Sequence, residues 1–303
     1  MGRSPLPALI LLILVVSSVA SCGDASSTSS TLTTVSAIDG DASAMKAGTD
    51  SWTQAEVGMS VEDGDVIKTG DDSSAEITFF DGSTIELQPG TQVEIASLDI
   101  AGSGSTTISL EQTIGATISR VTSIIDPASS YEVETATGAA AVRGSIMVVC
   151  VTEEGTSWIA NQQGNIWSRS QGVELQVPEK RKCILKPLVP PELMPPNRPP
   201  LAGDDTAITG EHDPVTVPFP GVLANDLDPD PYDLLLVTAV DTSSTVGQLI
   251  RWGPRGVFTY DPNGQFDYLQ PGESATDNFT YTVADAVGDI DTATVVITII
   301  GVG

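Results

Sequence analysis

Positive charge is scarce in this chain. Thirteen lysines and arginines stand against forty aspartates and glutamates, for a net charge of -27. Such a surface repels polyphosphate and anionic headgroups, which argues against nucleic-acid binding. Histidine is scarcer still. The one in 303 residues, His212, sits in the turn-like Glu211-His212-Asp213-Pro214. Imidazole acid–base chemistry and zinc ligation therefore have almost no material. There is no glycine-rich phosphate loop and no carboxylate pair in a catalytic context, so the chain is read as non-enzymatic. Lysine is absent after Lys186, which removes any lysine–asparagine isopeptide from the C-terminal third. The apolar run Ala8–Val16 is too short to span a bilayer, which takes about 20 apolar residues.

That short run has another use. Arg3 precedes it and the small residues Val19-Ala20-Ser21 follow, ending at Cys22. A cation, a brief apolar stretch and small residues describe a secretory signal peptide. Val19-Ala20-Ser21-Cys22 resembles the bacterial lipobox. The resemblance implies a signal peptide over 1–21, thioether acylation of Cys22 and membrane lipid as a partner. The mature protein is expected outside the cytoplasm, lipid-anchored to the cell membrane or outer membrane. Ala25–Thr31, nearly all serine and threonine, reads as a flexible tether within an anchor region over 22–48.

The mature sequence alternates β-branched or aromatic residues with polar ones. Examples are Ala75–Phe80, Tyr131–Thr135, Ile146–Val149, Asn278–Val283 and Ala293–Ile299. Turn pairs such as Asp81-Gly82, Pro89-Gly90, Asn263-Gly264 and Pro271-Gly272 separate them. These are half-buried strands, and the fold class is all-β. Ile108–Ile125 is read as strand, turn and a short helical turn. A proline-dense segment over 187–200 resists incorporation into a sheet and is read as a stiff spacer. It separates domains expected over 49–186 and 201–303. Cys150 and Cys183 remain once Cys22 is acylated. An oxidising compartment and an even count predict a disulfide between them, worth roughly 3–4 kcal/mol for a loop of about 30 residues. Two separate buried thiols are the open alternative.

In the first domain, Gly64-Asp65-Val66-Ile67-Lys68-Thr69-Gly70 is followed by Phe79-Phe80-Asp81-Gly82-Ser83. A second half holds Tyr131–Thr135 and Ala141-Val142-Arg143-Gly144-Ser145-Ile146. These segments resemble the FecR family, with Ala136 and Ser145 where proline and threonine are usual. The namesakes of that family sense a loaded transporter and pass the signal to a cytoplasmic sigma factor. The few residues ahead of the apolar run do not resemble the cytoplasmic tail this output needs. Arg143 is read as a structural arginine serving turn carbonyls in preference to an anion contact. Asp81-Gly82-Ser83 is read as hairpin chemistry.

From Asn197 onward, Asn225-Asp226-Leu227-Asp228-Pro229-Asp230, Phe266–Gly272 and Asp277–Asp285 come in succession. They resemble the bacterial cadherin-like, VCBS-type Ig sandwich. Departures are Pro231-Tyr232, where Gly-Asp is usual, and the insertion-like Arg251-Trp252-Gly253-Pro254. Asn225, Asp226, Asp228 and Asp230 place several oxygens on one loop, and Asp204, Asp205 and Asp285 could complete a shell. Calcium takes six to eight such oxygens. The alternative is Asx-turn chemistry with solvated charges. The chain as a whole is expected to be a non-enzymatic surface module for binding, adhesion or display, with a protein or glycan ligand. An extracytoplasmic FecR-like sensor is the competing reading.

Overall fold

The computed structural model describes residues 32–124, 126–231 and 233–302. Cys22 and the tether lie outside them. Strands dominate, and no α-helix occurs among the described residues. The first domain carries β1 (Thr34–Asp39), β2 (Ala42–Met45), β3 (Trp52–Gln54), β4 (Val66–Thr69), β5 (Ser74–Thr78), β6 (Thr84–Leu87), β7 (Gln92–Ile100) and β8 (Thr106–Arg120). It continues with β9 (Ser130–Thr135), β10 (Gly138–Val142), β11 (Ile146–Val151), β12 (Ser157–Gln163), β13 (Ile166–Ser170), β14 (Val173–Val177), β15 (Arg181–Leu185) and β16 (Glu192–Leu193). β1 and β2 thus lie inside the stretch expected to be tether.

Two sheets share β8. One runs β1-β5-β6-β8-β11-β12-β15-β16. The other runs β3-β2-β4-β7-β8-β9-β10-β13-β14. The N-terminal half of β8 pairs with β7 and β9, and its C-terminal half with β6 and β11. The strand changes sheet at Gly115, which has φ +88° and lies against Thr91 so closely that a Cβ would sit 2.5 Å from the Thr91 Cα. Only glycine fits such a corner. One bent strand therefore replaces the helical turn expected after Ile108. Between the sheets lies a core built by period-2 alternation, including Ile77, Ile85, Val93, Ile95, Leu110, Tyr131, Val133, Met147, Val149 and Ile159. Phe79 meets Tyr131 edge-on at 5.8 Å between ring centroids.

The proline segment does not stand free. Its three consecutive non-proline residues, Glu192-Leu193-Met194, supply an edge strand: β16 pairs with β15, and the Met194 N–H donates to the Lys182 carbonyl. Prolines flank this short edge because they cannot donate to a ladder.

The second domain holds β17 (Asp205–Gly210), β18 (Val215–Val217), a 3-10 turn over Gly221–Ala224, β19 (Leu236–Asp241), β20 (Gln248–Trp252), β21 (Phe258–Asp261), β22 (Ser274–Ala284) and β23 (Ile290–Ile300). A four-stranded sheet β17-β23-β22-β19 faces a three-stranded sheet β18-β21-β20. Phe258, Tyr260, Phe279, Tyr281, Val295, Ile297 and Ile299 fill the sandwich.

Candidate functional site

The glycine-punctuated motif of the first domain builds loops. Asp65 is buried and accepts from the Ala47 and Glu62 N–H groups and the Lys46 ammonium. Burial alone would raise its pKa. The Lys46 contact and the two N–H groups outweigh burial and hold it below the usual carboxylate range. Asp81 accepts from the Ser83 N–H and hydroxyl, and the Ser83 hydroxyl accepts from the Thr122 N–H. Arg143 is exposed and donates to the Pro127 carbonyl at 3.1 Å, the turn-binding role expected of it.

The expected disulfide is overturned: Cys150 and Cys183 are both free thiols. The strand order explains why. Cys150 on β11 pairs with Trp158, and Cys183 on β15 pairs with Ile159, the next residue of β12. Cross-strand partners share a face and adjacent residues take opposite faces, so the two thiols lie on opposite sides of the sheet. They are also two strands apart, roughly 9–10 Å at the usual spacing, beyond the ~7 Å limit for a disulfide. Cys183 joins the core between the sheets. Cys150 points to the outer face, where burial pushes its thiol pKa up to about 12.

That outer face carries the contact with the second domain. Ile118, Val148, Ala160 and Lys182 are successive cross-strand partners on β8, β11, β12 and β15. Ala116, Cys150, Trp158 and Ile184 form the neighbouring row. Leu236, Ala286 and Val287 of the second domain pack on Ile118, Val148, Trp158 and Ala160. The Asp285–Asp289 turn at the tip of the β22–β23 hairpin makes this contact. Gly288 takes φ +78° there, beside Lys180 and Gln162. Lys182 is the polar end of the apolar row. Its side chain and that of Asp233 are each 1% exposed, and its ammonium pairs with Asp233 and, at 3.4 Å, with Asp230. Lys180 donates to the Val287 carbonyl and pairs with Asp289 at 3.2 Å.

Six of the seven residues expected to bind calcium fall into two groups. In the first, Asn225 donates to the Gly203 and Asp204 carbonyls, Asp204 accepts from the Thr294 N–H, and the Tyr281 hydroxyl meets both Asp226 (2.9 Å) and Asp205 (3.2 Å). Burial pushes the Asp205 carboxyl up to about 6, with Asp226 and Asp204 adding to the rise against the Tyr281 hydrogen bond. In the second group, Asp228 and Asp285 join Asp233. One carboxylate oxygen from each of the three lies within 4.8 Å of the other two. Burial pushes Asp228 up to about 6 and raises Asp285 as well. Asp230 stands apart from that trio, because Arg198 and Lys182 hold its carboxylate. Asp228 Oδ2 and Asn197 Oδ1 are buried without a hydrogen-bond partner, the kind of oxygen a hard cation satisfies. Lys182 already supplies positive charge to Asp233. Asp233, Asp289, Asn197 and Lys182 were not anticipated as site residues. The spacing Asp226-Asp228-Asp230 continuing to Asp233 was the available signal.

Comparison with known proteins identifies both domains. Residues 65–166 match the family model for the FecR protein, and residues 197–301 match that for the bacterial cadherin-like domain. The chain therefore joins a FecR domain to a bacterial cadherin-like domain, in that order. No curated protein matches it. Two crystal structures from Parabacteroides distasonis ATCC 8503, each described as of a "putative anti-sigma factor", are similar in part. One, at 15% identity and TM-score 0.35, covers 43% of this chain and 57% of its own. The other, at 11% identity and TM-score 0.38, covers 65% of this chain and 98% of its own.

Proposed function

We propose that the chain is an exported, lipid-anchored envelope protein whose FecR domain acts as an extracytoplasmic sensing module. The FecR match over residues 65–166 carries this reading. The lipobox-like Val19–Cys22 and the net charge of -27 suit a protein working outside the cytoplasm. Deletion in the host is expected to alter the expression of a limited gene set, and Cys22→Ser is expected to release the protein from membranes. An unchanged transcript profile, with a protein or glycan ligand retained by the purified chain, would replace sensing by surface display.

The second group of carboxylates is proposed as the site of a calcium ion, held by Asp228, Asp233 and Asp285. All three donors are oxygens, and the buried Asp228 Oδ2 lacks a partner. Calcium is expected to raise the melting temperature, and Asp285→Asn to abolish the rise. Identical melting in calcium and in chelator would leave these residues as turn formers.

A further inference from the structure

Two sequence features lie outside the FecR and cadherin-like patterns: the basic run Lys180-Arg181-Lys182 and the insertion Arg251-Trp252-Gly253-Pro254. Both meet at the junction. Lys180 and Lys182 hold the Asp228–Asp233 loop and the Asp285–Asp289 turn. Arg251 approaches Asp39 of the first domain at 3.4 Å, and a narrow crevice runs between Asp39, Asp72, Pro89 and the Gly253–Arg255 loop. We propose that the outer face of the FecR-domain sheet is the docking surface for the cadherin-like domain. In the resting chain the cadherin-like domain occupies it as a detachable intramolecular ligand latched by Lys182.

Three observations support detachability. Each domain has its own core, and the apolar contact between them is a small separate cluster. The rest of the junction is polar. Gln162 donates to the Ala286 carbonyl, Lys180 to the Val287 carbonyl, and Lys182 pairs with Asp233. Such a mixed surface is typical of interfaces that open. The face is matched to the turn it carries: Ile118, Val148, Cys150, Trp158 and Ala160 form an apolar strip, edged on the β15 side by Lys180 and Lys182. The matching chemistry is a short apolar turn flanked by carboxylates, which Asp285-Ala286-Val287-Gly288-Asp289 provides. The sensing proposed for the FecR domain is not needed for this inference, and the test below leaves that reading untouched.

The two cysteines report on the latch. Cys150 lies under the docked domain, and Cys183 lies in the first domain's core. Thiol labelling of the full chain carrying Cys22→Ser therefore separates undocking from unfolding. With Lys182→Ala, Cys150 is expected to label roughly tenfold faster or more at pH 8, because its thiolate becomes accessible, while Cys183 stays protected. If Lys182→Ala unfolds the first domain, Lys180→Glu decides, since that side chain is half-exposed at the rim. Faster Cys150 labelling with Cys183 protected in either variant supports the latch. If neither variant speeds Cys150 labelling while Cys183 stays protected, the latch is overturned.

Discussion

Replacing Lys182 by alanine is expected to destabilise the chain by about 3–5 kcal/mol, the range for stripping one partner from a buried ion pair. The reason is the state in which Asp233 is left. Its side chain is 1% exposed and its Oδ1 accepts from the Leu234 and Ala286 N–H groups. Without the ammonium, a buried carboxyl is left facing the acidic side chains of Asp228 and Asp285 with no cation against it. A buried pair adds little net stability when compared with a neutral replacement of similar volume. The double variant Lys182→Met with Asp233→Asn should therefore recover most of the loss. The asparagine oxygen can still accept from Leu234 and Ala286, and its amide can turn toward the unpartnered Asp228 Oδ2. Equilibrium denaturation of the single and double variants measures this. A loss below about 1 kcal/mol for Lys182→Ala would mean that water reaches the pair, as it does at a surface bridge.

Asp277→Ala should destabilise the cadherin-like domain by about 3 kcal/mol or more, as hydrogen bonds to a charged group contribute about 1.5–3 kcal/mol each before compensation. Asp277 is 2% exposed. It accepts from the Val246, Gly247 and Asn278 N–H groups and from the Tyr260 hydroxyl at 2.6 Å. One carboxylate thus ties the loop before β20 to β22 and to the sandwich core. Burial alone would raise its pKa. The Tyr260 hydroxyl and the three N–H groups outweigh burial, and the folded value lies below the ordinary one. The sign of the pH dependence follows. The contribution is full above the unfolded value near 3.9 and is lost as pH falls through the folded value. The gap in melting temperature between wild type and Asp277→Ala should be wide at pH 7 and narrow in strong acid. A gap of constant width would assign the effect to packing and not to the ionised carboxylate.

Much of this arrangement was legible in the sequence because it rests on local patterns. Alternation at Ala75–Phe80 or Asn278–Val283 marks strands, and Asp81-Gly82-Ser83 marks its own turn. Both domain families follow from such motifs. What stayed hidden depends on which strands become neighbours. Cys150 and Cys183 look like a pair along the chain, and only the order β11-β12-β15 places them on opposite faces. Lys182 looks like one of three surface cations, and only its position in the row Ile118-Val148-Ala160-Lys182 puts it under the second domain. The acidic loop showed its oxygens but not their grouping, because Tyr281 gathers Asp205 and Asp226 while Asp233 gathers Asp228 and Asp285. The proline segment read as a spacer by composition. Its Glu192-Leu193-Met194 gap made it an edge strand on β15 of the first domain.

Small-angle X-ray scattering from the lipid-free chain most directly tests whether the FecR and cadherin-like domains form one body. A single compact unit of this length has a radius of gyration of about 18–20 Å. Two domains held apart by an extended proline spacer would be separated by a further ~40 Å at about 3.1 Å per residue. A profile of one body near the smaller radius is the predicted result. A two-lobed profile with an extended maximum dimension would contradict the docked junction and the buried Lys182–Asp233 pair on which it rests.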